Sequence, residues 1–250
     1  MNESLINYTL HLADNALILG HRNSEWTGHG PALEQDIAIT NIALDLIGQA
    51  RNFYQYAAEL IGNNATEDSL AYLRDAQNFK NILLVEQPNG DWAKTILRQF
   101  FISTYQYFFY QKLQKSKDAH LAAIAEKSLK EVAYHLRWSS EWVIRLGDGT
   151  EESYARMNNA MDDLYAFTGE MFEAADYEIE TASADIGVDI SSIKNDFLQK
   201  VKQVFEEATL IIPENVWMQS GGKKGVHSEH LGYILAEMQF LQRAYPDSVW

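Results

Sequence analysis

Residues 92–117 read WAKTILRQFFISTYQYFFYQKLQKSK. The stretch has no proline, no glycine and no strand-like alternation, so it predicts one helix over roughly 92–116. Phe100, Phe101, Tyr105, Tyr107, Phe108, Phe109 and Tyr110 point almost all round that helix. A helix that is apolar on every side is buried on every side. Two settings satisfy this: the centre of a helical bundle, or a face covered by a second chain. The stretch is too polar, and its apolar run FFISTYQYFFY (100–110) too short, to span a bilayer. It also contains no Asp or Glu.

The same reading extends outward in both directions. The only prolines are at 31, 88, 213 and 246, and no segment alternates as a half-buried strand would. Helices are predicted at roughly 4–20, 32–61, 67–85, 119–146, 151–173, 191–210 and 227–243 as well. Pro31 suits a first helical turn, with Glu34 near the positive end of the dipole. Thr66 and Thr150 suit caps, each followed by two acids, and Ser191 precedes an amphipathic run. The second helix carries a stripe of Ile39, Ile42, Leu46, Phe53, Ala57 and Leu60. The 119–146 helix carries one of Ala125, Leu129, Val132, Leu136, Val143 and Leu146. Such stripes fit near-antiparallel packing at ~20°. Residues 174–190 read as an irregular surface excursion. The expected fold is all-α, a long-helix bundle with extra helices, in one domain spanning 1–250.

Composition narrows the function classes. Of 250 residues, 46% are hydrophobic and 22% charged, which is globular. The absence of cysteine removes disulfides, thiolate metal sites and cysteine nucleophiles. A formal charge of −15 repels phosphates and anionic lipid, so neither nucleic acid nor membrane is an expected partner. The N-terminal residues have no basic lead-in and no cleavage site, which makes the cytoplasm the expected location.

A long-helix bundle invites a test for a di-iron centre. The template takes one carboxylate from each of two helices and a Glu-x-x-His pair from each of the other two. Asp45 is followed three residues on by Gly48, and Glu131 by Tyr134. His135 comes one place late, ~100° round the helix. Residues 92–117 supply no carboxylate at all. No working metal site is therefore expected in this chain. Asp45, Gln49, Glu131 and His135 are expected instead as a vestigial polar core, with Arg51 or Arg137 nearby. A second reading stays open: Glu131 and His135 share a face at i, i+4 and could chelate metal with further ligands, as in a self-sufficient metal enzyme. Weaker groupings are His21, Glu25 and His29 in a loop, and His227, Glu229, His230 and Glu237 on the last helix. There is no nucleophile elbow, Walker loop or dinucleotide fingerprint, and no catalytic residue is assigned.

One segment opposes the acidic balance. SGGKKGVHSEH (220–230) places Lys223 and Lys224 in a glycine turn before a helix expected to start near His227. Flexible glycines, a helix start and two cations make an anion-binding pattern, so Gly221, Gly222, Lys223 and Lys224 are the candidates for an anionic ligand.

The segments LDLIGQARNF (44–53), LLVEQPNG (83–90), EVAYHLRWS (131–139) and GGKKGVHSEHLGYILAEMQFLQR (221–243) closely resemble the C-type subunits of bacterial phenylacetyl-CoA epoxidases, which are multicomponent ring-epoxidising monooxygenases. The resemblance runs from the first helix to Trp250. It implies a ferritin-like fold and a structural, non-catalytic role beside a related subunit that holds the di-iron centre. It also implies a reductase component fed by NADPH, and conversion of phenylacetyl-CoA and O2 to a ring 1,2-epoxide. It supplies coenzyme A as the ligand for which Lys223 and Lys224 are candidates. No cofactor is expected in this chain, and a hetero-oligomer is expected.

Overall fold

The computed structural model describes residues 2–246 and residue 248. The chain is all-helical, with no strand among the described residues. The long helices are α1 (Asn2–Ser24), α2 (Leu33–Ile61), α5 (Trp92–Leu113), α6 (Ala119–Gly147), α7 (Glu151–Leu164) and α9 (Ser191–Glu207). The short ones are α3 (Glu67–Tyr72), α4 (Leu83–Glu86), α8 (Asp176–Ser183), α10 (Glu229–Met238) and α11 (Phe240–Ala244). The chain divides into two compact units, Met1–Pro88 with Gly221–Trp250, and Asn89–Ser220. Among the described residues, no helix is long and apolar enough to cross a membrane.

The second unit is built round α5. Every residue from Thr95 to Gln106 is buried, with α6, α7 and α9 packed against the helix. The aromatic side chains form a continuous cluster: the rings of Phe100 and Phe101 each lie 6.0 Å, centre to centre, from that of Phe205 of α9, and Tyr105 stacks on Phe109. The all-round apolar pattern therefore marks the centre of the unit. The alternative, a covering partner chain, is not needed to explain it. Thr150 caps α7 as expected, with its hydroxyl accepting from the Ser153 amide at 3.2 Å. Residues 174–190, expected to be irregular, contain α8. The Glu178 carboxylate holds its start by accepting the Ala175 N–H at 2.8 Å. The helix expected to 173 ends at Leu164 and continues in short 3-10 turns.

The first unit rests on the α1–α2 pair. The predicted α2 stripe is buried at Ile39, Ile42, Leu46, Phe53 and Ala57, against Ala13, Ala16 and Ile18 of α1 among others. Pro31 lies before the helix, not in its first turn, because Ala32 is extended (φ −153°, ψ 156°) and α2 begins at Leu33. Thr66 caps α3, but the expected 67–85 helix stops at Tyr72.

The cause of that stop is a buried carboxylate. Asp14, on α1, is fully buried. It accepts from the Tyr54 hydroxyl at 2.5 Å, from the Arg74 guanidinium and from the Lys80 backbone N–H at 2.8 Å. Asn15 accepts the Ile82 N–H at 2.9 Å, and the Lys80 carbonyl lies 2.7 Å from His11 Nδ1. The backbone donors of residues 80 and 82 are thus committed to side chains of α1 and are not free for a helix ladder. Residues 73–82 run as a strap that is irregular apart from one 3-10 turn, Ala76–Asn78. Burial, and then the Asp14 charge, push the Tyr54 phenol well up, so it remains a donor. The Arg74 guanidinium lies 4.2 Å over the Phe79 ring.

The expected 227–243 helix is likewise divided, at Gln239. The Gln239 amide donates to the carbonyls of Ala71 and Arg74, and Arg243 donates to those of Leu73 and Arg74. These two side chains satisfy carbonyls left over where α3 ends.

Removing one member of the buried ion pair leaves the other charged and without water. Asp14→Asn is expected to cost about 3–5 kcal/mol in urea unfolding. Arg51→Ala breaks the exposed pair with Glu67 at 3.6 Å and is expected to cost less than about 1 kcal/mol. Equal effects from the two would remove Asp14 from the centre of the first unit.

Candidate functional site

The residues singled out for metal chemistry fall on helices of both units. On α6, His135 and Val132 are fully buried, Glu131 is half-buried and Tyr134 is 38% exposed. On α2, Leu46 and Gln49 are buried, while Asp45 and Gly48 are half-buried. The inward positions at i, i+3 spacing are therefore Leu46 with Gln49, and Val132 with His135. The template fits one residue later than the acids suggest. In that register Leu and Val stand where the template takes carboxylates, and Gln49 stands where it takes a histidine. His135 alone is a ligand type in a ligand place.

The third helix tested, α5, offers only neutral groups or a cation. Arg98 is fully buried, and its guanidinium donates to the Asn89 side-chain oxygen at 2.5 Å. The Gln99 amide donates to the Ser103 hydroxyl at 2.8 Å, and Thr104 donates to the Phe100 carbonyl at 2.7 Å. Glu131 lies close enough to Tyr110 that its charge adds to burial in pushing that phenol up. The two arginines expected near the acids turn elsewhere. Arg51 is exposed and reaches Glu67, and the Arg137 guanidinium lies 5.7 Å from the Tyr134 ring centre. Among the described residues, no three of His, Asp and Glu come together to hold a metal ion. A di-iron group does not fit this donor set.

The glycine–lysine turn belongs to the first unit. Its glycines serve close approach, not flexibility. A Cβ at Gly222 would lie 2.1 Å from the Asn81 carbonyl oxygen, and one at Gly225 2.2 Å from that of Gln77. Gly225 is also left-handed, at φ +79°. Lys223 is buried, at 4% exposure, and Lys224 is exposed. The following helix starts at Glu229, two residues after His227.

The helix start expected to attract an anion already has one. The Glu86 carboxylate, fully buried, accepts the Ser228 N–H at 2.6 Å and the Asn81 amide at 2.9 Å, and lies 2.9 Å from His227 Nδ1. His227 Nε2 lies 3.0 Å from the Phe79 carbonyl. Arg22 donates twice to the Glu86 backbone carbonyl, at 3.2 and 2.9 Å. The segments LLVEQPNG and GGKKGVHSEH thus meet round one buried carboxylate. Sequence reasoning did not single out Glu86, Asn81 or Arg22. The one available signal was an acid directly following the apolar run Leu83–Leu84–Val85. The loop histidine His29 is exposed and bonds only locally, to the Thr27 carbonyl at 3.2 Å. Burial holds the His21 imidazole below its ordinary pKa.

Comparison with known proteins accounts for these landmarks. A sequence family described as "Phenylacetic acid catabolic protein" matches residues 1–250. A curated relative from Escherichia coli (strain K12), named as the C subunit of 1,2-phenylacetyl-CoA epoxidase, is 48% identical over 250 residues, covering 100% of both chains. The all-helical fold agrees with the ferritin-like class that the sequence resemblance implies. The chain belongs to the phenylacetic acid catabolic protein family, and it is similar along its whole length to the epoxidase's C subunit.

Proposed function

We propose that this chain is the non-catalytic structural subunit of a multicomponent di-iron monooxygenase that converts phenylacetyl-CoA to its ring 1,2-epoxide. The observation that carries this is the inward register of Leu46/Gln49 and Val132/His135, together with an α5 that has no carboxylate. In this reading the iron, the O2 chemistry and the electrons from the NADPH-fed reductase belong to other subunits. This chain's task is to stabilise the iron-bearing partner, in the cytoplasm. Metal analysis after expression with added iron should find only weakly held metal that a chelator removes. Stoichiometric, chelator-resistant iron that is lost on changing Glu131 and His135 would establish the self-sufficient enzyme instead.

Most of the α5 aromatic residues are buried within the second unit, with Tyr107 and Phe108 half-buried, and Trp250, the other feature read as partner-facing, lies outside the described residues. A better support is the outer face of α2. Leu33 (73% exposed), Ile37, Leu44 (62%) and Ile47 share one side of that helix, away from its buried stripe. An apolar stripe of this length suits a packed helix of the catalytic subunit within an obligate interface of about 2,000 Å² or more. Ile37→Asp with Leu44→Asp is expected to abolish co-purification with the iron-bearing subunit while leaving helix content unchanged. Intact assembly of that double variant moves the interface elsewhere.

For the CoA ester, the reading takes Lys224 as the cation that meets a phosphate, because it is exposed while Lys223 is buried. Lys224→Ala should raise KM for phenylacetyl-CoA in the assembled enzyme, more steeply at low salt, without changing assembly. An unchanged KM at low salt removes the turn from the substrate's path.

A further inference from the structure

His227 has both ring nitrogens against acceptors. Nδ1 lies 2.9 Å from a Glu86 carboxylate oxygen, and Nε2 3.0 Å from the Phe79 carbonyl oxygen. A backbone carbonyl accepts only. That Glu86 carboxyl group also takes the Ser228 N–H and the Asn81 amide. Both ring contacts are satisfied only while the Glu86–His227 pair keeps the proton between them. Once it is lost, either neutral tautomer of the ring turns one nitrogen lone pair toward an oxygen. The side chains are 5% and 0% exposed, so water is not at hand to relieve that clash.

We propose that the Glu86–His227 pair is a pH-operated clasp. The protonated pair fastens the C-terminal segment 221–246 onto the strap and α4, and its loss of a proton as pH rises loosens that segment while α1 and α2 stay folded. The segment is built to respond as a piece. Its other ties include the Gln239 and Arg243 bonds to carbonyls at the end of α3, the Arg243–Asp75 pair, the buried Leu231, Ile234 and Leu235, and the close seating of Gly222 and Gly225. It carries Lys224 and the exposed Tyr233, Phe240 and Leu241, so the clasp governs whether that surface keeps its shape.

The charged neighbours set the sign. Burial by itself lowers the His227 pKa. The bond to Glu86 and its charge, the Phe79 carbonyl and the more distant Asp14 charge outweigh burial and raise it above the ordinary value. Among the surrounding cations, Arg22 from α1 is bound to the Glu86 carbonyl and Arg74 to Asp14. Lys80 belongs to the strap, Lys223 and Lys224 to the turn, and Glu229 and His230 open α10. A histidine raised in the folded state gives stability that is complete below its unfolded pKa of about 6.5 and is lost as pH rises through the folded value.

The test is hydrogen exchange on the full chain at pH 6 and pH 8.5, corrected for intrinsic rates. Peptides within 226–246 should lose protection on going to pH 8.5, and α1 and α2 peptides should not. His227→Gln should flatten that pH dependence. Histidine NMR of the unaltered protein should show His227 titrating above 6.5. Titration at or below that value, uniform loss of protection in α1 and α2, or an unchanged pH profile in His227→Gln overturns the clasp. If His227→Gln does not fold by circular dichroism, the NMR titration of the unaltered protein decides.

Discussion

Asp14 is a charge with no water beside it, and the path of the first unit follows from finding it donors. A buried carboxylate is tolerable only when its lone pairs are taken and an opposite charge is near. Here the phenol of α2, a guanidinium from beyond α3 and a backbone amide of the strap converge on it. The amide fixes residue 80 in a non-helical path, and Asn15 does the same for residue 82. A strap with irregular backbone then has further polar groups to satisfy, which is why His11 and His227 stand against the carbonyls of Lys80 and Phe79. One charge on α1 thus dictates where α3 ends and what the last segment must carry when it returns to the same unit.

That ordering shows what the glycine turn does within the chain, whether or not it also meets a ligand. Glycines, paired lysines and a helix start form the same pattern whether the anion comes from solution or from the chain. The difference lies 141 positions away in sequence, in Glu86. The glycines at 222 and 225 are needed because the turn rides on backbone oxygens of Asn81 and Gln77 with no room for a Cβ. No local reading separates a glycine that admits a phosphate from one that admits another stretch of main chain.

The long helices were legible because periodicity is local, and α5 was legible because an all-round apolar helix has one place to go. The Thr66 and Thr150 caps were legible for the same reason. The 67–85 segment was misread because its composition favours helix and the side chains that forbid it lie on α1. The α8 helix was missed because its start has Ala175 where a capping residue is expected, and Glu178 does the holding. In the metal test the error was one residue of register. Acids at 45 and 131 drew the eye, but they are only half-buried, and the inward places are taken by Leu46, Gln49, Val132 and His135. Counting from an acid assumes that the acid faces inward. The burial of a neighbouring apolar side chain is the safer origin.

The corrected register also has an energetic logic. Carboxylates at 46 and 132 would be charges in fully buried places, and in a bundle without metal each would need its own neutralising partner. Leucine and valine remove that demand and add apolar contact. The same holds along α5, where Gln99 and Ser103 bond to each other and Thr104 turns to its own helix, so buried polar groups are satisfied within the helix. Metal-binding bundles are held open by ligand charge and closed by the ion. A chain that fills these places with apolar or self-satisfied side chains leaves no buried charge there to be neutralised.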